Sequence, residues 1–86
     1  MRLDKFLKLT RIIKRRTVAK DISAAGKVII DKKTVKPSYL VKVGDVLELY
    51  LADFIVIVKV LSVDEKVIRG NPENSYTIIG KQLNAN

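Results

Sequence analysis

The 86-residue sequence contains no cysteine, no histidine and no tryptophan. Without cysteine it has no disulfide, no thiolate nucleophile and no thiolate metal site. Without histidine it lacks the commonest metal ligand and the commonest general base. We therefore expect no metal, no cofactor and no catalytic residue. A chain of this length favours a single binding domain spanning residues 1–86.

Long hydrophobic runs are also missing. The longest uncharged apolar run, residues 54–58, is far shorter than the roughly 20 residues of a transmembrane helix. Arg2, Asp4, Lys5 and Lys8 interrupt the N-terminus before the apolar region of a signal peptide could form. The sequence thus predicts a cytoplasmic protein.

Acidic residues are scarce in the first half of the chain. Residues 1–42 carry 13 basic and 3 acidic groups, whereas residues 43–86 carry 4 basic and 6 acidic groups. The first half should therefore attract a polyanion. The charge alone does not distinguish among three partners: nucleic acid, an anionic membrane surface and an acidic protein.

Apolar periodicity predicts two helices at the start of the chain. Leu3, Phe6 and Leu7 have the spacing of one helical face, which we expect to lie in the core. A second helix is expected from about residue 15 to residue 25, ending at Gly26. Its apolar face is predicted to consist of Val18, Ile22 and Ala25.

Strand patterns begin at residue 27. Leu47, Leu49 and Leu51 alternate with more polar neighbours. Residues 54–63 are predicted to form a long strand that is apolar on both faces, and residues 76–79 a last short strand. The segment between these last two strands has the composition of a loop. Helices followed by strands indicate an α+β fold with two or three N-terminal helices packed on a small antiparallel β-sheet.

The stretch RIIKRRTVAK, residues 11–20, holds five cations and no acid. One interpretation is a solvated helix face. However, no acid lies four residues from Arg15, Arg16 or Lys20 to offset their mutual repulsion. The free backbone N–H groups at the start of the second helix also favour an anion. A nucleic-acid backbone would satisfy both features.

Three blocks of the sequence resemble a known family. RLDKFL, RRTVAKDISAAGKVII and KPSYLVKVGDVL match, in order and spacing, the S4-type (alpha-L) RNA-binding domain, which is named after small-subunit ribosomal protein S4. The resemblance covers about the first 50 residues, so we expect an S4-type core at about residues 1–50 and a C-terminal strand extension at about residues 51–80. Many members have a serine where this chain has Lys14 before Arg15 and Arg16. Within the family the chain is most similar to the RqcP group of bacterial ribosome-associated quality-control factors. It is also related to the S4-domain ribosome-associated heat-shock protein.

The resemblance implies a function on the ribosome. It implies binding to rRNA and tRNA on large ribosomal subunits obstructed by peptidyl-tRNA, in support of a factor that adds C-terminal alanine tails to stalled nascent chains. It also implies a non-enzymatic protein, which we expect to be a monomer when free. The alternative within the family is a general rRNA-binding, heat-shock-like ribosome recycling factor. Carried over residue by residue, the predicted RNA-binding residues are Arg2, Lys5, Arg11, Lys14, Arg15, Arg16, Lys20, Lys36 and Ser38.

Three local predictions accompany the resemblance. The family usually has Asn-Gly where this chain has Asp31 and Lys32, and lysine adopts a left-handed backbone only at a cost. We therefore predict a turn wider than a two-residue type I′ turn. Asp4 is predicted to orient the basic side chains beside it. For Tyr39, stacking on RNA and a half-buried strand position remain equal alternatives.

Three other classes of protein share some of these sequence features. A DNA-binding helix-turn-helix fits two short helices joined around residues 10–14, but the second helix has no asparagine or glutamine to read base edges. An enzyme such as a pseudouridine synthase would need a catalytic domain in addition to these residues. A membrane-surface protein would need exposed bulky apolar groups on the basic helix.

Overall fold

The computed structural model describes residues 1–13, 16–51 and 54–84, and it describes the side chains of all of these except residues 16 and 17. Two helices come first, then four strands, a third helix, a 3-10 turn and a last strand. In chain order these are α1 (Leu3–Leu9), α2 (Arg16–Ala24), β1 (Val28–Ile30), β2 (Lys33–Thr34), β3 (Val46–Tyr50), β4 (Phe54–Val60), α3 (Glu65–Gly70), the 3-10 turn Pro72–Ser75 and β5 (Tyr76–Leu83).

The five strands form one antiparallel sheet in the order β2-β1-β3-β4-β5. In the centre of the sheet, Leu47 lies opposite Val58 and Leu49 lies opposite Val56. All four side chains are buried, whereas Glu48 between them is only half-buried. The alternation predicted for β3 is therefore confirmed. The described helices include none long and apolar enough to cross a membrane.

Helix α1 covers the inner face of the sheet. The side chains of Leu3, Phe6 and Leu7 are completely buried and join the same cluster as Leu47 and Val58. This confirms the apolar face predicted for the first helix. Because consecutive turns of a helix place residues i, i+3 and i+4 together, three residues anchor the whole helix to the core.

Helix α2 packs through a different face from the one predicted. Ala19 and Ser23 are buried, Ile22 is half-buried, and Val18 and Ala25 are exposed. The prediction of a Val18, Ile22 and Ala25 face is therefore wrong for Val18 and Ala25, and only Ile22 packs against the core. Two small residues one turn apart bring the helix backbone close to its neighbours, and the Ser23 hydroxyl donates to the Ala19 carbonyl oxygen at 2.9 Å, so it is buried without an unpaired polar group.

The end of α2 is fixed by Gly26, as predicted. Gly26 has a φ of +74°, its N–H donates to the Ser23 carbonyl, and the Lys27 N–H donates to the Ile22 carbonyl. These two bonds form a Schellman motif, which requires a left-handed residue after the helix. The motif turns the chain directly into β1.

The turn between β1 and β2 is tighter than predicted. Ile30 pairs with Lys33, so Asp31 and Lys32 alone form the loop, with φ values of 53° and 66°. Both values are those of a type I′ turn, and the prediction of a wider turn was wrong. The right-handed twist of the two strands favours this turn strongly enough to hold a lysine in a left-handed conformation.

Replacing Lys32 with glycine is expected to raise the free energy of unfolding by about 0.5–1 kcal/mol. Relief of left-handed strain, about 1–2 kcal/mol, exceeds the extra entropy that glycine loses on folding, about 0.5–1 kcal/mol. Urea denaturation of Lys32→Gly would measure the change. The matched control is Lys33→Gly one residue later, which lies in β2 and should lose stability. A stability of Lys32→Gly at or below that of the unsubstituted protein would contradict this account.

The segment expected to be a loop contains α3 and the 3-10 turn. The Asp64 carboxylate caps α3 by accepting from the Lys66 N–H at 2.9 Å, and Ile68 is completely buried. Thus one side chain anchors a helix that is too short to show periodicity. β5 runs from Tyr76 to Leu83, well past the predicted end at residue 79, and an irregularity in its pairing with β4 lies between Ile57 and Val58.

Candidate nucleic-acid interface

The start of α1 is joined to the segment after β2 by backbone hydrogen bonds. Arg2 forms a bridge with Leu40, the Leu3 N–H donates to the Tyr39 carbonyl at 2.8 Å, and the Asp4 N–H donates to the Pro37 carbonyl at 3.2 Å. This pairing brings Arg2 next to the turn that carries Lys36 and Ser38, both of which are exposed. Three of the predicted site residues therefore meet although more than 30 positions separate them in sequence.

Asp4 holds the Arg2 side chain. The Arg2 Nε and a terminal guanidinium nitrogen each donate to one Asp4 carboxylate oxygen at 3.2 Å. Asp4 is 2% exposed and also accepts from the Lys5 N–H at 2.8 Å. The expectation that Asp4 orients its basic neighbours is confirmed for Arg2. The Arg2 side chain stays 48% exposed, so its remaining donors face outward, as an arginine placed for an anion requires.

Lys5 forms an ion pair with an acid on α3. Its ammonium group pairs with one carboxylate oxygen of Glu65 on α3, and the other oxygen lies 3.5 Å from the Arg69 Nε. The hydrogen bond from Lys5, aided by the charges of Lys5 and Arg69, lowers the pKa of Glu65. The sequence alone does not reveal this cluster, because Glu65 and Arg69 lie in a segment with the composition of a loop.

The connection from α1 to α2 carries Arg11. The Thr10 hydroxyl donates to the Phe6 carbonyl at 2.7 Å and closes the end of α1. Arg11 then adopts a φ of 61° and is exposed, while Ile13 is buried, so the connection turns a cation outward and an apolar side chain inward.

Not every predicted residue can be placed. Lys14 and Arg15 lie outside the described residues, and Arg16 is described only as the first residue of α2. Lys20, one helical turn after Arg16, is exposed and makes no ion pair with any residue that the structure describes. Lys36 likewise has no ion-pair partner among those residues. Lys20 and Lys36 are therefore not neutralised by the residues that the structure describes.

Tyr39 has the half-buried position that was one of its two alternatives. Its hydroxyl donates to an Asp45 carboxylate oxygen at 3.0 Å, and the same oxygen accepts from the Lys42 N–H at 2.9 Å. Burial raises the pKa of Tyr39, and the hydrogen bond to Asp45 adds to this effect. The side chain thus ties the 36–41 segment to the turn before β3, which keeps Lys36 and Ser38 beside α1.

No group of three or more acidic side chains in the described ranges could hold a metal ion. The surface built above is instead basic. It has two parts, one along α1 and the adjoining 36–38 turn, and one around the connection to α2 and α2 itself.

The model of the family described as S4 domain matches residues 1–47, more than half of the chain, and the chain belongs to this family. The α+β fold predicted from the sequence is that of the family. Over almost its whole length the chain is similar to curated proteins named RQC P-site tRNA stabilizing factor. The protein of Listeria monocytogenes is 40% identical over 82 residues, which are 95% of this chain and 89% of the relative. That of Bacillus subtilis is 39% identical over 82 residues, 95% of each chain.

A solved structure shows the same fold. The trimeric structure of Vibrio cholerae Heat Shock Protein 15 superimposes with a TM-score of 0.79 over 93% of this chain and 82% of that chain, at 24% sequence identity. Because the coverage includes most of the chain, the similarity extends beyond the residues that the family model matches.

Proposed function

We propose that this protein is a non-enzymatic factor that binds rRNA and tRNA on large ribosomal subunits obstructed by peptidyl-tRNA. The observation that supports it most strongly is the 40% identity, over 95% of the chain, with a protein named RQC P-site tRNA stabilizing factor. In this role it assists a partner that adds alanine tails to stalled nascent chains in the cytoplasm. It acts as a single domain and is a monomer when free.

The charge distribution supports binding through phosphates. The predicted contacts are mainly lysines and arginines, and α2 offers no asparagine or glutamine for base edges. Cations position a protein on a nucleic-acid backbone without reading its sequence. A protein that must act on every stalled subunit, whatever its nascent chain, needs shape and charge recognition of this kind.

The two parts of the basic surface also support simultaneous contact with two RNAs. Arg2 at the start of α1 and Lys36 in the adjoining turn form one part, whereas Lys20 lies on α2. Each contact alone is weak in cytosolic salt, but the second becomes intramolecular once the first has formed. Occupancy then depends on the presence of both rRNA and tRNA.

A pelleting experiment tests the proposal. Purified protein is mixed with empty large subunits or with large subunits that carry peptidyl-tRNA, and the bound fraction is measured. Recovery should be higher on the subunits that carry peptidyl-tRNA. Equal recovery would contradict the requirement for tRNA and would favour a general rRNA-binding factor, and tighter binding to duplex DNA at the same salt concentration would favour the helix-turn-helix alternative.

Salt dependence gives a second, quantitative check. If about five phosphates are neutralised, log K should fall against log salt with a slope of roughly −3.5 to −4.5. The expected slope follows from release of about 0.7–0.9 counterions per phosphate. Titrations with obstructed subunits at several potassium concentrations would measure it, and a flat response would rule out a phosphate-dominated interface.

A further inference from the structure

A second cluster of cations lies where α1 meets α3. Lys5 and Lys8, three residues apart on α1, and Arg69 on α3 line a cleft of about 210 Å³ together with Leu9. Glu65 is the one acid paired with this cluster in the described part of the chain, and it contacts both Lys5 and Arg69. The cleft therefore contains three cations and one anion, a net positive charge that the described fold does not neutralise.

The pairing with Glu65 leaves most of the donors unused. Arg69 approaches Glu65 through its Nε at 3.5 Å, and its two terminal amino groups have no hydrogen-bond partner in the described ranges. Its side chain is 60% exposed. Lys8 is exposed and pairs with no acid that the structure describes. A guanidinium group whose terminal amino groups have no partner among the described residues is suited to a bidentate contact with phosphate.

The cleft continues the basic surface of α1. Arg2 and Lys8 are six residues apart, which places them about 9 Å from one another along the helix axis at 1.5 Å per residue. Lys5 lies between them in sequence, so three basic residues spaced three apart extend from the 36–38 turn toward α3. An RNA backbone that follows Arg2 and Lys5 would reach the cleft next.

We propose that Lys8 and Arg69, together with Lys5, bind a backbone phosphate of the same RNA that contacts the start of α1. This inference rests on the proposed RNA-binding function and adds to it. Arg69 belongs to α3, outside residues 1–47 that the family model matches. The segment after β4 thus supplies an RNA contact of its own, which the S4-type core lacks.

The test measures binding to large subunits carrying peptidyl-tRNA with full-length Lys8→Ala, Arg69→Ala and the double variant. Each single variant should bind roughly tenfold more weakly, the effect of losing one charge-assisted contact. Each should also reduce the salt slope by about 0.7–0.9. The matched control is Lys66→Ala, which removes an exposed cation from α3 that makes no ion pair with any described residue, and it should change neither quantity.

Three results separate the outcomes. A double variant with the affinity and salt slope of the unsubstituted protein would overturn this inference. If Arg16→Ala loses binding in the same experiment, the proposed RNA-binding function is still supported. A loss of affinity with an unchanged salt slope would also overturn it, since no phosphate contact would have been removed. Because the Lys8 side chain is exposed and has no ion-pair partner among the described residues, Lys8→Ala keeps the test valid even if Arg69→Ala loosens α3. The thermal midpoint of Lys8→Ala should match that of Lys66→Ala.

Discussion

Replacing Phe6 with alanine is expected to lower the free energy of unfolding by about 3–5 kcal/mol. The Phe6 side chain is completely buried in the cluster that joins α1 to the sheet. Its removal loses the transfer free energy of the ring and leaves a cavity that rigid neighbours fill only in part. Since a small domain has about 5–15 kcal/mol of stability, the change removes a large share of it. Urea denaturation followed by circular dichroism would measure the loss.

Two other apolar positions serve as controls for Phe6. Leu83 is 75% exposed at the end of β5, so Leu83→Ala should leave stability nearly unchanged. Ile22 is half-buried on α2, and Ile22→Ala should cost less than Phe6→Ala. Normal stability of Phe6→Ala combined with lost ribosome binding would mean that the ring contacts RNA instead of the core.

Replacing Arg16 and Lys20 together with alanine is expected to weaken binding to obstructed large subunits by at least a hundredfold. Each charge-assisted contact contributes about 1.5–3 kcal/mol, and a factor of ten corresponds to about 1.4 kcal/mol. No acid lies four residues from either position, so the fold gains no helical ion pair from them. Thermal stability should therefore stay the same or rise slightly while binding is lost.

Lys59 provides the matched control for this double variant. It lies on β4 between buried Val58 and Val60, so its exposed side chain points away from the core and away from the helices. Lys59→Ala removes one cation without touching the proposed surface, and its binding should change little. If the double variant unfolds, Arg16 or Lys20 has a structural role. If Lys59→Ala weakens binding as much per charge removed as the double variant does, net charge alone explains the interaction.

The features that could be predicted from the sequence are those with strong local patterns. The three buried residues of α1 and the alternation in β3 are recognisable because burial on one face imposes a fixed period. Gly26 could be placed because few other residues adopt the conformation that ends α2. The burial of Ala19 and Ser23 instead of Val18 could not be predicted, because hydrophobicity does not reveal where a helix backbone must approach its neighbours closely.

The candidate site was predictable only as a set of cations. Arg2 and Lys20 could be predicted because the sequence itself shows a cluster of basic residues with few acids near them. The ion pair between Lys5 and Glu65 joins residues 60 positions apart, and Arg69 reaches the same place through a helix held by one buried isoleucine. Such contacts depend on how the sheet places α3 next to α1. The two-residue turn at Asp31 and Lys32 could not be predicted for a similar reason, since strand pairing there overrides the preference of lysine against a left-handed backbone.

The bridge between Arg2 and Leu40 has a consequence for the order of folding. β1 and β2 are joined by two residues and β3 and β4 by three, so these hairpins close short loops, a process that takes about 1–10 μs. Pairing of Arg2 with Leu40 closes a much longer loop, and its entropy cost is higher. We therefore expect α1 to dock after the sheet has formed. A chain in which only the sheet has formed then lacks the pairing that joins Arg2 to the 36–38 turn, and the two-part surface exists only once folding is complete.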